Sequence, residues 1–137
     1  MSKRRRGSPR GAFRSAARVA TFERLVDRAI ATIPDPYRVA LQEVAIVIED
    51  EPSREQLREN GIEPGDSLYG LYEGVSRAEY GADWVTEPNR ISLFRLPLEE
   101  DFPDPAELEA EVRLTVLHEL AHHLGIDDDR LEELGAG

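Results

Sequence analysis

The sequence contains no cysteine, which excludes disulfide bonds and any zinc site built from thiolates. It also lacks a run of 18 apolar residues, so no membrane-spanning segment is expected. The basic N-terminus is not followed by the apolar stretch of a secretory signal peptide. These absences favour a cytoplasmic protein whose metal sites, if it has any, use His, Asp or Glu.

Charge divides the chain into two unequal parts. Residues 1–20 contain seven basic and no acidic side chains, whereas residues 21–137 contain 10 basic and 28 acidic ones. The two parts therefore carry +7 and −18, and the net charge is −11. An acidic body repels nucleic acid, so a nucleic-acid partner is not expected beyond the tail. The tail could instead lie on the protein's own acidic surface.

Length and hydrophobic patterning predict one small domain. We expect residues 1–20 to be a disordered basic tail and residues 21–137 to form the domain. Apolar residues recur at helical spacing between residues 22 and 33, after Thr21 as the expected N-cap.

Three apolar runs, at residues 44–48, 68–75 and 90–95, predict strands, the first of them buried on both faces. The expected fold class is α+β, with a small mixed sheet of about three strands packed against the N-terminal helix and a C-terminal helix.

The C-terminal helix is predicted to begin at Asp104, which can cap it, with Pro105 in the first helical position. An i+4 stripe should bury one side of this helix and consists of Leu108, Val112, Val116, Leu120 and Leu124. His118 and His122 lie at the edge of the stripe. The helix would thus be anchored on one side and present both imidazoles on the other.

One stretch of this helix and the residues after it reads HELAHHLGIDD. His118 and His122 are separated by about 40° around the helix axis, so both imidazoles can bind one zinc ion. Glu119 lies about 100° from His118 and can reach a water molecule on that ion without being a ligand. Gly125 can end the helix in a left-handed conformation, after which Asp128 can face the metal.

Neighbouring residues leave alternatives open. Asp127 and Asp129 compete with Asp128 as the third ligand, and otherwise are solvated or bonded to the ligand histidines. His123 points about 140° from His118, so we expect it to be structural or solvent-facing. The alternative interpretation of the whole stretch is a helix with two solvated histidines and an acidic tail.

The complete motif HExxHxxGxxD resembles that of the small bacterial minimal metzincins, zincin-like metallopeptidases whose third ligand is Asp. The resemblance covers roughly residues 21–135 and includes LYEG at residues 71–74 and RISLFR at residues 90–95. It implies a zincin-like fold and a zinc-dependent peptidase that acts on peptide or protein substrates.

In this interpretation His118, His122 and Asp128 hold one Zn²⁺ and Glu119 is the general base. Larger metzincins have a methionine-containing turn below the metal, but Met1 is the only methionine here, so activity could be weak. The alternative is a zinc-binding domain without peptidase activity that serves in protein interaction or regulation. Glu119 argues against it, because a site that only binds metal needs no base.

The resemblance also implies an edge strand above the cleft that pairs with the substrate backbone. We assign this role to Ile91, Ser92, Leu93, Phe94 and Arg95, with an ordinary buried strand as the equal alternative. Residues 96–103 contain two prolines and are expected to be a linker. The candidates for stabilising an oxyanion are Tyr72, Tyr80, Arg90 and Arg95.

Overall fold

The computed structural model describes residues 2–4, 16–63, 65–74 and 89–126. The elements in this part of the chain are β1 (Ser2–Arg4), α1 (Ala16–Ala31), α2 (Tyr37–Ala40), a 3₁₀ turn (Leu41–Glu43), β2 (Ala45–Glu49), α3 (Arg54–Glu59), β3 (Ser67–Glu73), β4 (Arg90–Phe94), α4 (Arg95–Asp101) and α5 (Pro105–His123). The α+β class is therefore confirmed. None of the described helices is long and apolar enough to cross a membrane.

Four strands form one mixed sheet in the described part of the chain, in the order β1-β3-β4-β2. β2 and β4 are parallel, whereas β3 is antiparallel to both β4 and β1. The three predicted strands are present as β2, β3 and β4, and β1 is an addition that the sequence did not predict. β4 lies inside the sheet, and β1 and β2 lie at its two edges.

The main core forms where α1 and α5 pack together and α5 packs on the sheet. The predicted stripe of α5 is buried, with Leu124 partly so, and the apolar face of α1 is buried with it. Burying a Leu, Val or Ile side chain stabilises the fold by about 1.5–3 kcal/mol relative to exposure. A second, smaller cluster contains Ile62, Leu68, Leu71 and Phe94, with Leu57 of α3 packed against it. The core thus holds α5 firmly against β3 and β4.

The start of α5 follows the predicted capping pattern. The Asp104 carboxylate accepts a hydrogen bond from the Glu107 N–H at 3.1 Å, and Pro105 occupies the first turn. A cap of this kind contributes about 1 kcal/mol because it satisfies an N–H that has no partner within the helix.

The segment predicted to be a disordered tail has regular structure in two places. Ser2–Arg4 pairs with β3, and α1 begins at Ala16 rather than after Thr21. The Thr21 hydroxyl donates to the Ala17 carbonyl at 2.9 Å, so this residue lies within the helix and does not cap it. The prediction is therefore wrong for these two stretches, and residues 5–15 lie outside the described part of the chain.

The predicted substrate strand is also corrected. β4 pairs with β2 on one side and with β3 on the other, and its residues 91–94 are buried. A strand with both neighbours in place has no free edge to which a peptide could add. The strand role assigned to Ile91, Ser92, Leu93, Phe94 and Arg95 is wrong, and the alternative of an ordinary buried strand holds for the first four.

Arg95 and the residues after it form α4, where the sequence predicted a linker. The Arg95 side chain is 0% exposed and bonds to Asp50 at 3.2 Å and Glu99 at 2.7 Å. It joins the end of β2 to α4 and is not accessible to a substrate. β2 itself, predicted to be buried on both faces, is an edge strand and only partly buried.

Candidate metal centre

Two histidines of α5 lie side by side at the surface. The ring centroids of His118 and His122 are 5.3 Å apart, and the ring planes are inclined by 68°. Both residues are partly exposed, and the His122 side chain is 32% exposed. The i, i+4 spacing therefore brings the two imidazoles together on one accessible face, as predicted.

Glu119 lies beside this pair, and a backbone group of the sheet holds its carboxylate in place. Its side chain is 0% exposed, and its Oε1 accepts the Tyr72 backbone N–H at 2.9 Å. The same Oε1 lies 3.3 Å from Nδ1 of His122. The β3 backbone N–H therefore orients the carboxylate, and Oε1 of Glu119 faces His122.

The donor set fits a zinc ion. Imidazole nitrogen is a common zinc ligand, and a ligand histidine usually donates its second ring N–H to a carboxylate or carbonyl. Because Nδ1 of His122 faces Glu119, Nε2 is the ring nitrogen left to bind a metal. Within the described residues, no three His, Asp or Glu side chains are grouped to hold a metal.

The end of α5 turns the chain as predicted. Gly125 has φ of +75°, its N–H donates to the His122 carbonyl at 3.1 Å, and the Ile126 N–H donates to the Ala121 carbonyl at 2.8 Å. This pair of bonds is the Schellman arrangement, which favours glycine because a side chain is disfavoured at this φ. The proposed ligand Asp128 and its alternatives Asp127 and Asp129 lie outside the described residues.

His123 is structural, which was one of its two predicted roles. It is buried, with Nδ1 3.1 Å from the Tyr72 hydroxyl and Nε2 2.9 Å from Glu43 Oε1. Tyr72 therefore contacts α5 twice. Its N–H donates to Glu119, and its hydroxyl contacts His123. The sequence suggested Tyr72 only as an oxyanion donor, and a main-chain contact between residues 47 positions apart leaves no local pattern.

The other oxyanion candidates differ in their surroundings. Arg95 is excluded by its burial in the ion pairs with Asp50 and Glu99. Arg90 is 46% exposed and pairs with Glu73 at 3.1 Å, on the strand pair next to Tyr72. Tyr80 lies outside the described residues, as does most of the polar connection between β3 and β4.

The family model for zincin-like metallopeptidases matches residues 41–137, which include the sheet from β2 onwards, α5 and the whole motif. The chain belongs to the zincin-like metallopeptidase family. A conserved hypothetical protein of T. thermophilus has a similar solved structure, with 28% identity and a TM-score of 0.50. The match covers 85% of this chain and 96% of that one. No curated protein sequence matches this chain.

Membership of the zincin-like family indicates a metal-dependent peptidase, and zinc is the usual metal of such proteins. The two adjacent imidazoles and the buried acid beside them lie on α5, within the matched residues. The likeness to the T. thermophilus protein supports the fold and adds no activity, since that protein is itself described as hypothetical.

Proposed function

We propose that this chain is a zinc-dependent peptidase that hydrolyses peptide bonds, with Glu119 as the general base. One observation carries the proposal: a buried carboxylate, fixed by a backbone N–H, adjoins two accessible imidazoles on the same helix. His118, His122 and Asp128 would hold the metal. When bound, zinc supplies a Lewis acid that polarises the scissile carbonyl and lowers the pKa of bound water towards about 7.

Glu119 has the proton-transfer role in this reaction. Its Oε1 is oriented by the Tyr72 N–H, and the carboxylate takes a proton from the attacking water. The carboxyl group then carries this proton to the nitrogen of the departing amine. Because β3 is held by β4 and by α5, the carboxylate needs little reorganisation when the reaction begins.

The substrate that we propose is a peptide or protein. Hydrolysis of a peptide bond is the reaction for which a zinc site with an adjacent general base is suited. Nucleic acid is disfavoured as a substrate because the body of the chain carries a charge of −18.

Glu119→Gln is the decisive substitution, since it keeps the size of the side chain and removes its ability to accept a proton. We expect the variant to retain about one zinc per chain and to lose roughly 10²–10⁴-fold in the hydrolysis rate. The measurements are metal content by plasma mass spectrometry and turnover of a fluorogenic peptide library. Glu107→Gln is the matched control, because Glu107 is an exposed acid of the same helix.

Two further variants separate metal binding from catalysis. His118→Ala and His122→Ala should each lose both zinc and hydrolysis, because each removes a ligand. Hydrolysis by Glu119→Gln at the wild-type rate would show that the base is another group. A wild-type protein that binds zinc and cleaves no peptide of the library would instead support a metal-binding domain without peptidase activity.

A further inference from the structure

The last turns of α5 are attached to β3 at two points, and both attachments involve Tyr72. Its N–H donates to Glu119 at 2.9 Å, and its hydroxyl lies 3.1 Å from Nδ1 of His123. Glu119 and His123 are one helical turn apart and lie about 40° from each other around the helix axis. A residue held at one point can still rotate about it, whereas two contacts on the same helix face fix its orientation.

The position of Tyr72 in β3 makes the second contact important. β3 ends at Glu73, and β1 pairs with it no further than Gly70. The end of a strand opens at a lower free-energy cost than its centre. The N–H that orients Glu119 thus belongs to a part of β3 that strand pairing alone holds weakly, and the hydroxyl contact with His123 supports it.

His123 is itself fixed from its other side. Its side chain is 0% exposed, and Nε2 lies 2.9 Å from Glu43 Oε1. An ionised carboxylate can only accept a hydrogen bond, so Nε2 carries the ring proton in this contact. In the neutral ring, Nδ1 is then the acceptor for the Tyr72 hydroxyl. Glu43 belongs to the 3₁₀ turn before β2, so the imidazole joins this turn to β3.

We propose that His123 is a positioning residue for the general base. It holds the Tyr72 side chain in place, and thereby the N–H that orients Glu119, while Glu43 holds the imidazole. A polar ring is costly to bury unless its nitrogens have partners, and this ring has one on each side. The inference rests on the proposed function for calling Glu119 a base, but the orientation of the carboxylate requires neither zinc nor hydrolysis.

The test uses full-length variants that break the contact from either side. Tyr72→Phe removes the hydroxyl and keeps the ring and the backbone N–H. His123→Leu removes the imidazole and leaves the Tyr72 hydroxyl in place. Tyr69→Phe is the matched control, because Tyr69 lies in the same strand and its hydroxyl donates to Asp101 at 2.6 Å, outside the candidate metal centre. Thermal unfolding establishes that each variant retains the fold.

The first readout is hydrogen exchange of the residue 72 amide, measured by NMR on metal-free protein. The reference is the exchange of the amides of residues 91–93 in β4, which has a strand on each side. Relative to this reference, we expect exchange at residue 72 to become about tenfold faster in Tyr72→Phe and in His123→Leu. Tyr69→Phe should keep the wild-type ratio. The ratio separates opening at the end of β3 from a change in global stability.

The second readout is the hydrolysis of a peptide by zinc-loaded protein. We expect kcat to fall about tenfold or more in Tyr72→Phe and in His123→Leu, with KM and zinc content unchanged, because the base is misplaced and the metal ligands remain. The double variant should be no slower than the slower single one, since both substitutions break one contact. His123→Asn should recover part of kcat, because its side-chain amide can accept from the Tyr72 hydroxyl.

An unchanged exchange ratio at residue 72 in both Tyr72→Phe and His123→Leu would overturn the proposal, as would faster exchange with an unchanged kcat. A fall in kcat in Tyr72→Phe but not in His123→Leu would make the hydroxyl an oxyanion donor and would also overturn it. If His123→Leu fails to fold, His123→Gln takes its place, since its longer amide reaches Glu43 rather than Tyr72. In a protein that hydrolyses no peptide the exchange ratio alone decides, so failure of the proposed function and failure of this inference give different results.

Discussion

A single main-chain N–H, that of Tyr72, positions the carboxylate on which the proposed chemistry depends. It belongs to β3, whereas Glu119 belongs to α5, so the general base is oriented by the contact between two elements. Because the donor is the backbone, no substitution of the Tyr72 side chain removes it directly. Substitutions of Glu119 therefore test the acid while leaving the N–H of β3 that orients it unchanged.

At the scale of residues, the assignment of Asp128 as the third zinc ligand remains a prediction. Asp128→Asn removes the charge of the proposed ligand and should weaken zinc binding on the order of 100-fold or more, since Asn is a poor zinc ligand. Zinc affinity is measured by competition with a chromophoric chelator. Asp127→Asn and Asp129→Asn are the matched controls and should change the affinity by less. The reverse ranking would transfer the ligand role to one of the neighbours.

At the scale of residues, the sequence predicts what lies within one helix. The spacing of His118 and His122, the place of Glu119 and the left-handed Gly125 all follow from helical geometry and were found as expected. The partners of His123 were not predictable, because Glu43 lies 80 positions away and no local pattern links the two.

At the scale of elements, the approach of β3 to α5 depends on a glycine. A Cβ atom added at Gly70 would lie 2.6 Å from the Thr115 Cγ2 atom and 3.2 Å from the Ser92 carbonyl oxygen. Thr115 is buried on α5, so its methyl group has little room to move. Gly70 thus sets the distance at which β3 can offer a hydrogen bond to Glu119.

Gly70→Ala should lower the free energy of unfolding by about 1–3 kcal/mol, the usual cost of overpacking a buried site. In the Thr115→Ala background, which removes the clashing methyl group, the same substitution should cost at least about 0.5 kcal/mol less. Denaturant unfolding of the four proteins measures this coupling.

Gly61→Ala is the control for this cycle, because a Cβ atom at Gly61 has no neighbour within 4 Å. Its cost arises from the positive φ of +67° alone and should be the same with and without Thr115→Ala. If Gly70→Ala lowers the free energy of unfolding equally in both backgrounds, the Thr115 methyl group moves aside without strain.

Elements with local signals were predicted, and those set by pairing were not. The caps and apolar stripe of α5 lie in consecutive turns and can be found from the sequence. α4 was mistaken for a linker because of Pro97, which is the third residue of the helix, where the backbone N–H has no intrahelical partner anyway. The central place of β4 depends on strand order, which apolar runs do not encode.

At the scale of the whole molecule, the proposed metal should add to stability, because a ligand that binds only the folded state shifts the folding equilibrium. Zinc at 100 times its Kd contributes about 2.7 kcal/mol, which raises the Tm by roughly 5–10 °C in a domain of this size. Scanning calorimetry with added zinc and with a chelator measures the shift. His122→Ala should show the same Tm in both conditions, and a shift in this variant equal to that of the wild type would mean that zinc binds elsewhere.

The sizes of the two opposite charges were predictable, but the position of the basic segment was not. The sequence shows a +7 segment and a −18 remainder, and a disordered basic tail was predicted from it. Residues 2–4 instead pair with β3. Backbone pairing selects an edge and a direction, and a count of charges contains neither.

The pairing of β1 with β3 bears on the association of one molecule with another. β1 covers the outer edge of β3 between Ser67 and Gly70. An uncovered strand edge presents backbone groups to which a strand of a second molecule can add. Removal of residues 2–4 should therefore make the protein more prone to self-association through this edge.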